Sequence, residues 1–384
     1  MELIDFDHAA FLRDHWQRAP LLIRNPWASW TNPLEPDELA GLSCENDIES
    51  RLVTRSGTGW NLEHGPFPES RFSQMNEEAW TLLVQAVDHH IPAVAALLEP
   101  FRFIPNWRID DVMVSYAVDG GGVGPHYDQY DVFLIQGLGK RRWQLGGMCD
   151  GATKMLPHEG LRLLADFQPA EEWVLEPGDI LYVPPGIAHN GTAVGDDCMT
   201  YSIGFRAPSR AELIGGWAES LITDLADDDD RYADPDLQPQ ENPGEISAAA
   251  IARLHEMIME RAQDRRMFAR AFGEYSTAPK DPDVDWRPDQ PVNAADVRLH
   301  MAEGAALIRN PASRFSYVRE GSSSVLFFAD GRCFPCTGGV AEFAEEICAR
   351  QRLMPAPDQS DFQQTVDLIV ELFNQGSITF DLRD

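Results

Sequence analysis

From about residue 108 to residue 206 the chain reads as short apolar runs cut by glycine and proline turns. The runs are DDVMVSYAV, GGGVG, DVFLIQ, GLG and KRRWQL, then WVLEPGDILYVPPGIAHNG and CMTYSIGF. Many short strands at such close spacing bury their apolar faces by closing on one another. The pattern predicts a β-sandwich or barrel, and within that class a double-stranded β-helix. KRRWQL is expected to pair with DVFLIQ as a hairpin through the turn GLGK.

The flanks differ in texture. Residues 1 to about 100 combine a helical start, the basic-aromatic stretch RAPLLIRNPWASW and a helix-like run, EEAWTLLVQAVDHHIPAVAALL. After Arg206 the pattern turns helical: SRAELIGGWAESLITDLADDDD reads as an amphipathic helix ending in an acidic cluster. A loop rich in Pro and Asp (227–245) follows, then EISAAAIARLHEMIMERAQDRRMFARAF. The apolar side of that run, with Met257 and Ile258, faces either a partner subunit or its own barrel. STAPKDPDVDWRPDQPV reads as a linker. Residues from about 291 give a helix, two strands around SYVREGSSSVLFFADG and two more helices, the size and order of a small winged-helix-like domain. The expected class is α+β in three parts. Residues 1–206 hold an N-terminal region and the barrel (core about 100–206), 207–280 a helical module, and 290–384 the winged-helix-like domain.

Charge narrows the partners. With 31 Lys and Arg against 62 Asp and Glu, the net charge is −31. Such a field repels phosphate backbones and anionic membranes and attracts basic proteins, although the same excess also serves solubility or a salty cytosol. It argues against DNA binding by the winged-helix-like domain. No apolar run is long enough to span a membrane, and the acidic start MELIDFDHAAFLRDHW does not resemble a signal peptide. A cytoplasmic location is expected. Six cysteines do not make a disulfide scaffold in so long a chain. Cys333 and Cys336 form a CxxC, either redox-active, half a zinc site, or two ordinary thiols; no second CxxC or nearby His pair completes four ligands.

The chemistry concentrates in two segments. His126 and Asp128 follow GGGVGP, and in extended backbone side chains at i and i+2 share a face, so an imidazole and a carboxylate can converge. About sixty residues on, EPGDILYVPPGIAHNG matches PGDxxxxPxGxxH, the signature of a cupin barrel that presents a metal-binding His, here His189, at its mouth. Two histidines and one carboxylate make the facial triad of non-haem iron oxygenases, which leaves coordination positions open for a chelating cosubstrate and oxygen. Arg141 lies fifteen residues after His126. It shares a strand face with Trp143, whereas Lys140 and Arg142 share the other. A guanidinium there suits the far carboxylate of a dicarboxylate cosubstrate; Lys140 and Arg142 compete for that role, and a solvated basic edge is the plain reading of all three.

These residues also carry a family resemblance. RIDDVMVSYAVDGGGVGPHYDQYDVFLIQGLGKRRWQLG, EPGDILYVPPGIAHNG and MTYSIGFRAPSRAELIGGWAE resemble the JmjC-type 2-oxoglutarate oxygenases called ribosomal oxygenases, and among them the bacterial arginine 3-hydroxylases. The likeness spans nearly the whole chain and is strongest over 108–218. It implies Fe(II) bound by His126, Asp128 and His189, with 2-oxoglutarate and O2 as cosubstrates and Arg141 on the distal carboxylate. It implies a helper residue on the strand before HxD, Ser115, or Ala117 if the register shifts by two. It implies Cβ hydroxylation of an arginine in large-subunit ribosomal protein sixteen, a homodimer built by the helical module, and a C-terminal winged-helix domain. Asp119 is a candidate partner for a substrate guanidinium, equally a turn cap, and Tyr127 and Ser209 are further substrate-binding candidates. Other functions compete: hydroxylation or demethylation of another residue type, a non-catalytic metal-binding cupin scaffold for basic proteins, or a metal-dependent isomerase or small-molecule dioxygenase.

Overall fold

A computed structural model of the chain describes residues 2–57, 59–73, 75, 78–225, 231–355 and 362–381. It divides into two compact units, Met1–Ala207 with Asp283–Asp285 and Asn310–Ala312, and Pro208–Pro282 with Trp286–Arg309 and Ser313–Asp384. Among the described residues no helix is long and apolar enough to cross a membrane.

The first unit runs α1 (His8–Asp14), β1 (Leu21–Ile23), α2 (Pro36–Leu42), β2 (Ser50–Ser56), β3 (Gly59–His64), α3 (Ser70–Ser73), β4 (Ala79–Val84), α4 (Pro92–Ala95), β5 (Ile109–Ala117), β6 (Asp131–Met148), β7 (Glu171–Leu175), β8 (Ile180–Val183) and β9 (Ile187–Phe205). The strands are ordered β1-β8-β6-β9-β5-β4-β2-β3, with β7 added on β6. β6 and β9 span 18 and 19 residues and pair almost end to end, from Asp131 with Phe205 to Met148 with Ile187. Their register slips between Gln136 and Leu138 and again before Lys140. Such bulges bend a ribbon. Gly139 sits there at φ +58°, where a Cβ would come within 2.7 Å of the Asp197 carbonyl oxygen. Before the bend β6 lies between β8 and β9, and after it between β7 and β9. One sheet thereby becomes two layers, the double-stranded β-helix.

This corrects the expected GLGK hairpin. DVFLIQ and KRRWQL are two halves of one strand, because β9 offers a hydrogen-bonding partner on both sides of the bend. The helix-like run 77–98 is corrected too. Ala79–Val84 is a strand, with only short helical turns after it. Leu82 and Val84 enter the outer core while Thr81 and Leu83 face the barrel interior, so a sheet position overrides local propensity.

Double coverage explains why the central strands read as unbroken apolar runs. Phe133, Ile135, Ile180 and Tyr182 face an outer core with Phe11, Trp27, Leu39 and Phe101 from the N-terminal region. Val132, Leu134, Leu181 and Val183 face inward with Trp143, Leu145 and Leu175. The PGD turn is structural. Asp179 accepts hydrogen bonds from the Glu176 and Asn25 amides, and the Gln136 amide bonds its carbonyl, which pins the turn to the bend in β6.

Asp131, fully buried at the start of β6, accepts from Tyr182 Oη at 2.6 Å, Gln17 Nε2 at 3.0 Å and Arg108 Nη2 at 3.0 Å. Asp131→Ala would leave a mostly buried guanidinium uncompensated. We expect a loss of about 3–5 kcal/mol in urea unfolding. A loss below about 1 kcal/mol would show that the network is not structural.

The second unit holds α5 (Arg210–Asp224), α6 (Ala248–Ala262), α7 (Arg265–Thr277), α8 (Ala294–Ala302), β10 (Ala306–Arg309), β11 (Phe315–Gly321), β12 (Ser324–Ala329), β13 (Arg332–Thr337), α9 (Gly338–Ala349), β14 (Arg352–Leu353), α10 (Phe362–Asn374) and β15 (Ile378–Asp381). The expected two strands are six, in the three-stranded sheets β14-β10-β15 and β11-β12-β13. The run 245–272 is two helices, broken where Asp264 caps α7 through the Arg266 and Met267 amides. Gly273 of α7 lies on Phe328, where a Cβ would meet the ring at 2.3 Å. That packing makes α7 part of the C-terminal fold, so the expected boundary near 280–290 falls inside this unit. The acidic cluster 227–230 lies outside the described residues. Cys333 and Cys336 are free thiols, and among the described residues no metal-ligating cluster forms around them.

Candidate metal centre

His126, Asp128 and His189 meet at one point, with their ligand atoms all within 4.8 Å of one another. Backbone pairing does this. The His126 amide donates to the His189 carbonyl at 3.0 Å and the His189 amide to the His126 carbonyl at 2.8 Å, so the HxD segment extends the second layer beside β9. The Gly186 amide donates to the Asp128 carbonyl at 2.7 Å, and this ties the PPG turn to the same segment. Gly186 has φ +81°, a conformation that favours glycine.

The ring orientations are set as well. Nδ1 of His126 lies 2.9 Å from the Gly124 carbonyl oxygen and Nδ1 of His189 lies 2.9 Å from that of Ile187. A carbonyl only accepts, so each Nδ1 carries the proton and each Nε2 keeps a free lone pair. His189 Nε2 is 3.6 Å from the Asp128 carboxylate, and the two rings stand 4.2 Å apart. Burial and the His126 imidazole push His189 well below the ordinary histidine range, so it is neutral and ligand-ready near pH 7. Two imidazoles and a carboxylate on one side of a cavity are the donor set of a non-haem Fe(II) centre, and these residues fit that ion.

The centre opens into a cavity of about 470 Å³ lined by both layers. Arg141 and Trp143 point into it, 3% and 5% exposed, whereas Lys140 pairs outside with Glu176 at 2.6 Å and Arg142 is exposed. Arg141 Nε and Nη2, Trp143 Nε1 and Thr81 Oγ1 are buried without hydrogen-bond partners. Buried donors of this kind are rare unless a ligand completes them. A cation backed by further donors, across a cavity from a three-ligand centre, fits a dicarboxylate that also chelates metal.

The other expected site residues scatter. Ser115 is buried, lines the cavity and pairs in register with Thr200, which lines it too; Ala117 packs with Ala193 and Cys198. Tyr127 lines the cavity, donates its hydroxyl to the Asp150 carbonyl at 3.0 Å, and carries the Arg162 guanidinium 5.7 Å from its ring. Asp119 is exposed, outside the lining, and accepts from the Gly195 amide at 2.7 Å, the turn-capping role. Ser209 caps α5, its hydroxyl accepting from the Glu212 amide. Sequence reasoning missed Thr81, Arg51, Tyr130 and Arg162 in the lining. Thr81 was legible only by reading AWTLLV with a period of two.

Known proteins share this architecture. Residues 96–213 match the JmjC domain family and residues 260–379 the ROXA-like winged helix. The chain is 40% identical to the ribosomal protein uL16 3-hydroxylase of Escherichia coli, over 78% of this chain and 79% of that protein. It is 38% identical to a probable ribosomal oxygenase of Haemophilus influenzae, over 68% and 66%. The structure of YcfD, a ribosomal oxygenase from Escherichia coli, in complex with cobalt and 2-oxoglutarate superposes with a TM-score of 0.87 at 34% identity, covering 99% of this chain and 100% of that one.

Proposed function

This chain belongs to the JmjC-domain ribosomal oxygenases, which are 2-oxoglutarate-dependent hydroxylases, and on that premise we propose that it hydroxylates an arginine of ribosomal protein uL16 at Cβ. The observation that carries the reading is one cavity holding both the His126, Asp128 and His189 cluster and the partnerless guanidinium of Arg141. In it His126 and His189 offer Nε2 and Asp128 its carboxylate to Fe(II), and Arg141 receives the far carboxylate of 2-oxoglutarate, with Ser115 and Tyr127 in the wall. Bound Fe(II) supplies the activation of O2 that couples decarboxylation of 2-oxoglutarate to succinate with transfer of one oxygen atom to the substrate carbon. The residues around it hold geometry and exclude water: Val132, Leu134 and Trp143 make that part of the wall apolar.

The division of labour proposed with it has residues 1–206 as the catalytic part and α5 and α6 as a dimerisation module, while α7, packed on Phe328, goes with the winged-helix domain. Exposed Ile214, Ile222, Ile251, Leu254 and Ile258 on α5 and α6 support a homodimer. The net charge of −31 supports a basic protein substrate rather than nucleic acid, and a cytoplasmic site of action follows from a ribosomal target.

The test is mass spectrometry of large-subunit ribosomal proteins incubated with the chain, Fe(II), 2-oxoglutarate and O2. We expect the mass of one added oxygen atom on a single uL16 arginine, absent with His126→Ala. Turnover of 2-oxoglutarate without that product would discard the ribosomal arginine. No turnover in an iron-loaded sample would favour a non-catalytic scaffold.

A further inference from the structure

We propose that Thr81 and Trp143 complete, with Arg141, an all-donor cradle for the far carboxylate of 2-oxoglutarate, and that Thr81 is a specificity-determining residue for that dicarboxylate; this deepens the reading of the cavity given above. Among the described residues only a few buried side-chain polar atoms lack a partner, and Thr81 Oγ1, Arg141 Nε, Arg141 Nη2 and Trp143 Nε1 all belong to this one cavity.

Their placement follows from register. Arg141 on β6 stands opposite Ala193 on β9, and Thr81 on β4 stands opposite Ala117 on β5. Residues opposite each other on antiparallel strands present side chains on the same face. Ala117 and Ala193 pack together with Cys198, so the strand pairs that carry Thr81 and Arg141 meet through these small residues. The Arg141 guanidinium carbon lies 5.8 Å from the Trp143 ring, and the His189 ring lies 5.9 Å from it. Trp143 therefore spans the distance from the guanidinium to the metal centre.

The chemistry of the set selects its ligand. The guanidinium and the indole N–H can only donate, and the Thr81 hydroxyl rotates to donate. Among the described residues no carboxylate other than that of Asp128 lines the cavity beside Arg141. A carboxylate with its several lone pairs satisfies all of these donors at once, which neither an alcohol nor a cation does. The positions differ in sequence distance by sixty residues between Thr81 and Arg141, which is why no local motif contains the cradle.

The test separates a ligand role from a structural one. Thr81→Val and Trp143→Phe are each made in the full chain, and binding of 2-oxoglutarate to the Mn(II)-loaded protein is followed by calorimetry without O2. Each variant is expected to bind 2-oxoglutarate about tenfold more weakly, the cost of one hydrogen bond to a charged group. With 2-oxovalerate, which keeps the keto acid and the chain but lacks the far carboxylate, Thr81→Val and the parent chain are expected to bind alike. The ligand-free melting temperature of Thr81→Val should equal or exceed the parent's, because the substitution removes a buried unpaired hydroxyl. Unchanged 2-oxoglutarate affinity would overturn the inference, as would an equal loss for both keto acids. A parent chain that fails to bind 2-oxoglutarate would instead overturn the cosubstrate reading itself.

Discussion

Replacing Arg141 by Met is expected to abolish saturable binding of 2-oxoglutarate while raising the stability of the ligand-free chain. Both effects share one cause. Arg141 is 3% exposed, its Nε and Nη2 have no hydrogen-bond partner, and its close neighbour is the Trp143 ring. A buried charge without a counter-ion burdens the fold, and an apolar side chain of similar volume often stabilises such a site by about 1–4 kcal/mol. The same charge is the strongest attraction the cavity offers a dicarboxylate. Its loss should raise the Kd for 2-oxoglutarate by at least about a hundredfold, in line with the 2–5 kcal/mol expected for truncating a buried charge pair. Arg141→Lys keeps the charge but loses the planar fork, so an intermediate loss is expected. Thermal unfolding and calorimetry read the two effects independently. An Arg141→Met variant that melts lower and still binds within threefold would show the guanidinium to be a packing residue.

Removing a metal ligand should have the larger effect on turnover. His126→Ala deletes one of the two Nε2 donors, and the geometry offers no substitute: among the described residues no other cluster of three metal-ligating groups exists. Loss of outer partners around a metal typically costs 10–100-fold, so loss of a ligand should lower 2-oxoglutarate turnover by more than about a hundredfold. Asp128→Ala is expected to behave alike. His255→Ala, on the exposed face of α6, is the control and should retain parental turnover. Succinate formation measured against bound iron checks this. Full turnover in His126→Ala with normal iron content would place the metal elsewhere.

The two outcomes bear on how such a site is encoded. His126-x-Asp128 was visible because alternation puts i and i+2 on one face, and His189 because the PGD and PPG turns around it have fixed backbone requirements. Alternation puts Arg141 on the face opposite Lys140 and Arg142 but leaves open which face is inward, and the fold decides it: Arg141 inward, Lys140 on Glu176 outside. Turn chemistry misled at GLGK. Two glycines there allow either a reversal or a bend, and the choice belongs to β9, a partner about sixty residues away. Local propensity misled at Ala79–Val84, where helix-forming neighbours masked a period of two that the sheet order β5-β4-β2 puts to use. Asp119 looked like a guanidinium partner because a carboxylate beside a glycine turn serves equally as a cap, and the Gly195 amide takes that role here.

What the sequence determined by itself is therefore local: strand alternation, turn chemistry, the three converging ligands and the split of a basic triplet between two strand faces. Each follows from a period of two or from a backbone angle fixed within a few residues. What only the tertiary structure decided is long-range: the bend that folds one sheet into two layers, the packing of α7 on the C-terminal sheet, and the meeting of Thr81 with Arg141 and Trp143. The reason is physical. Hydrogen-bond pairing between distant strands and the burial of unpaired donors in a common cavity are properties of register and closure, and neither leaves a mark on any short stretch of chain.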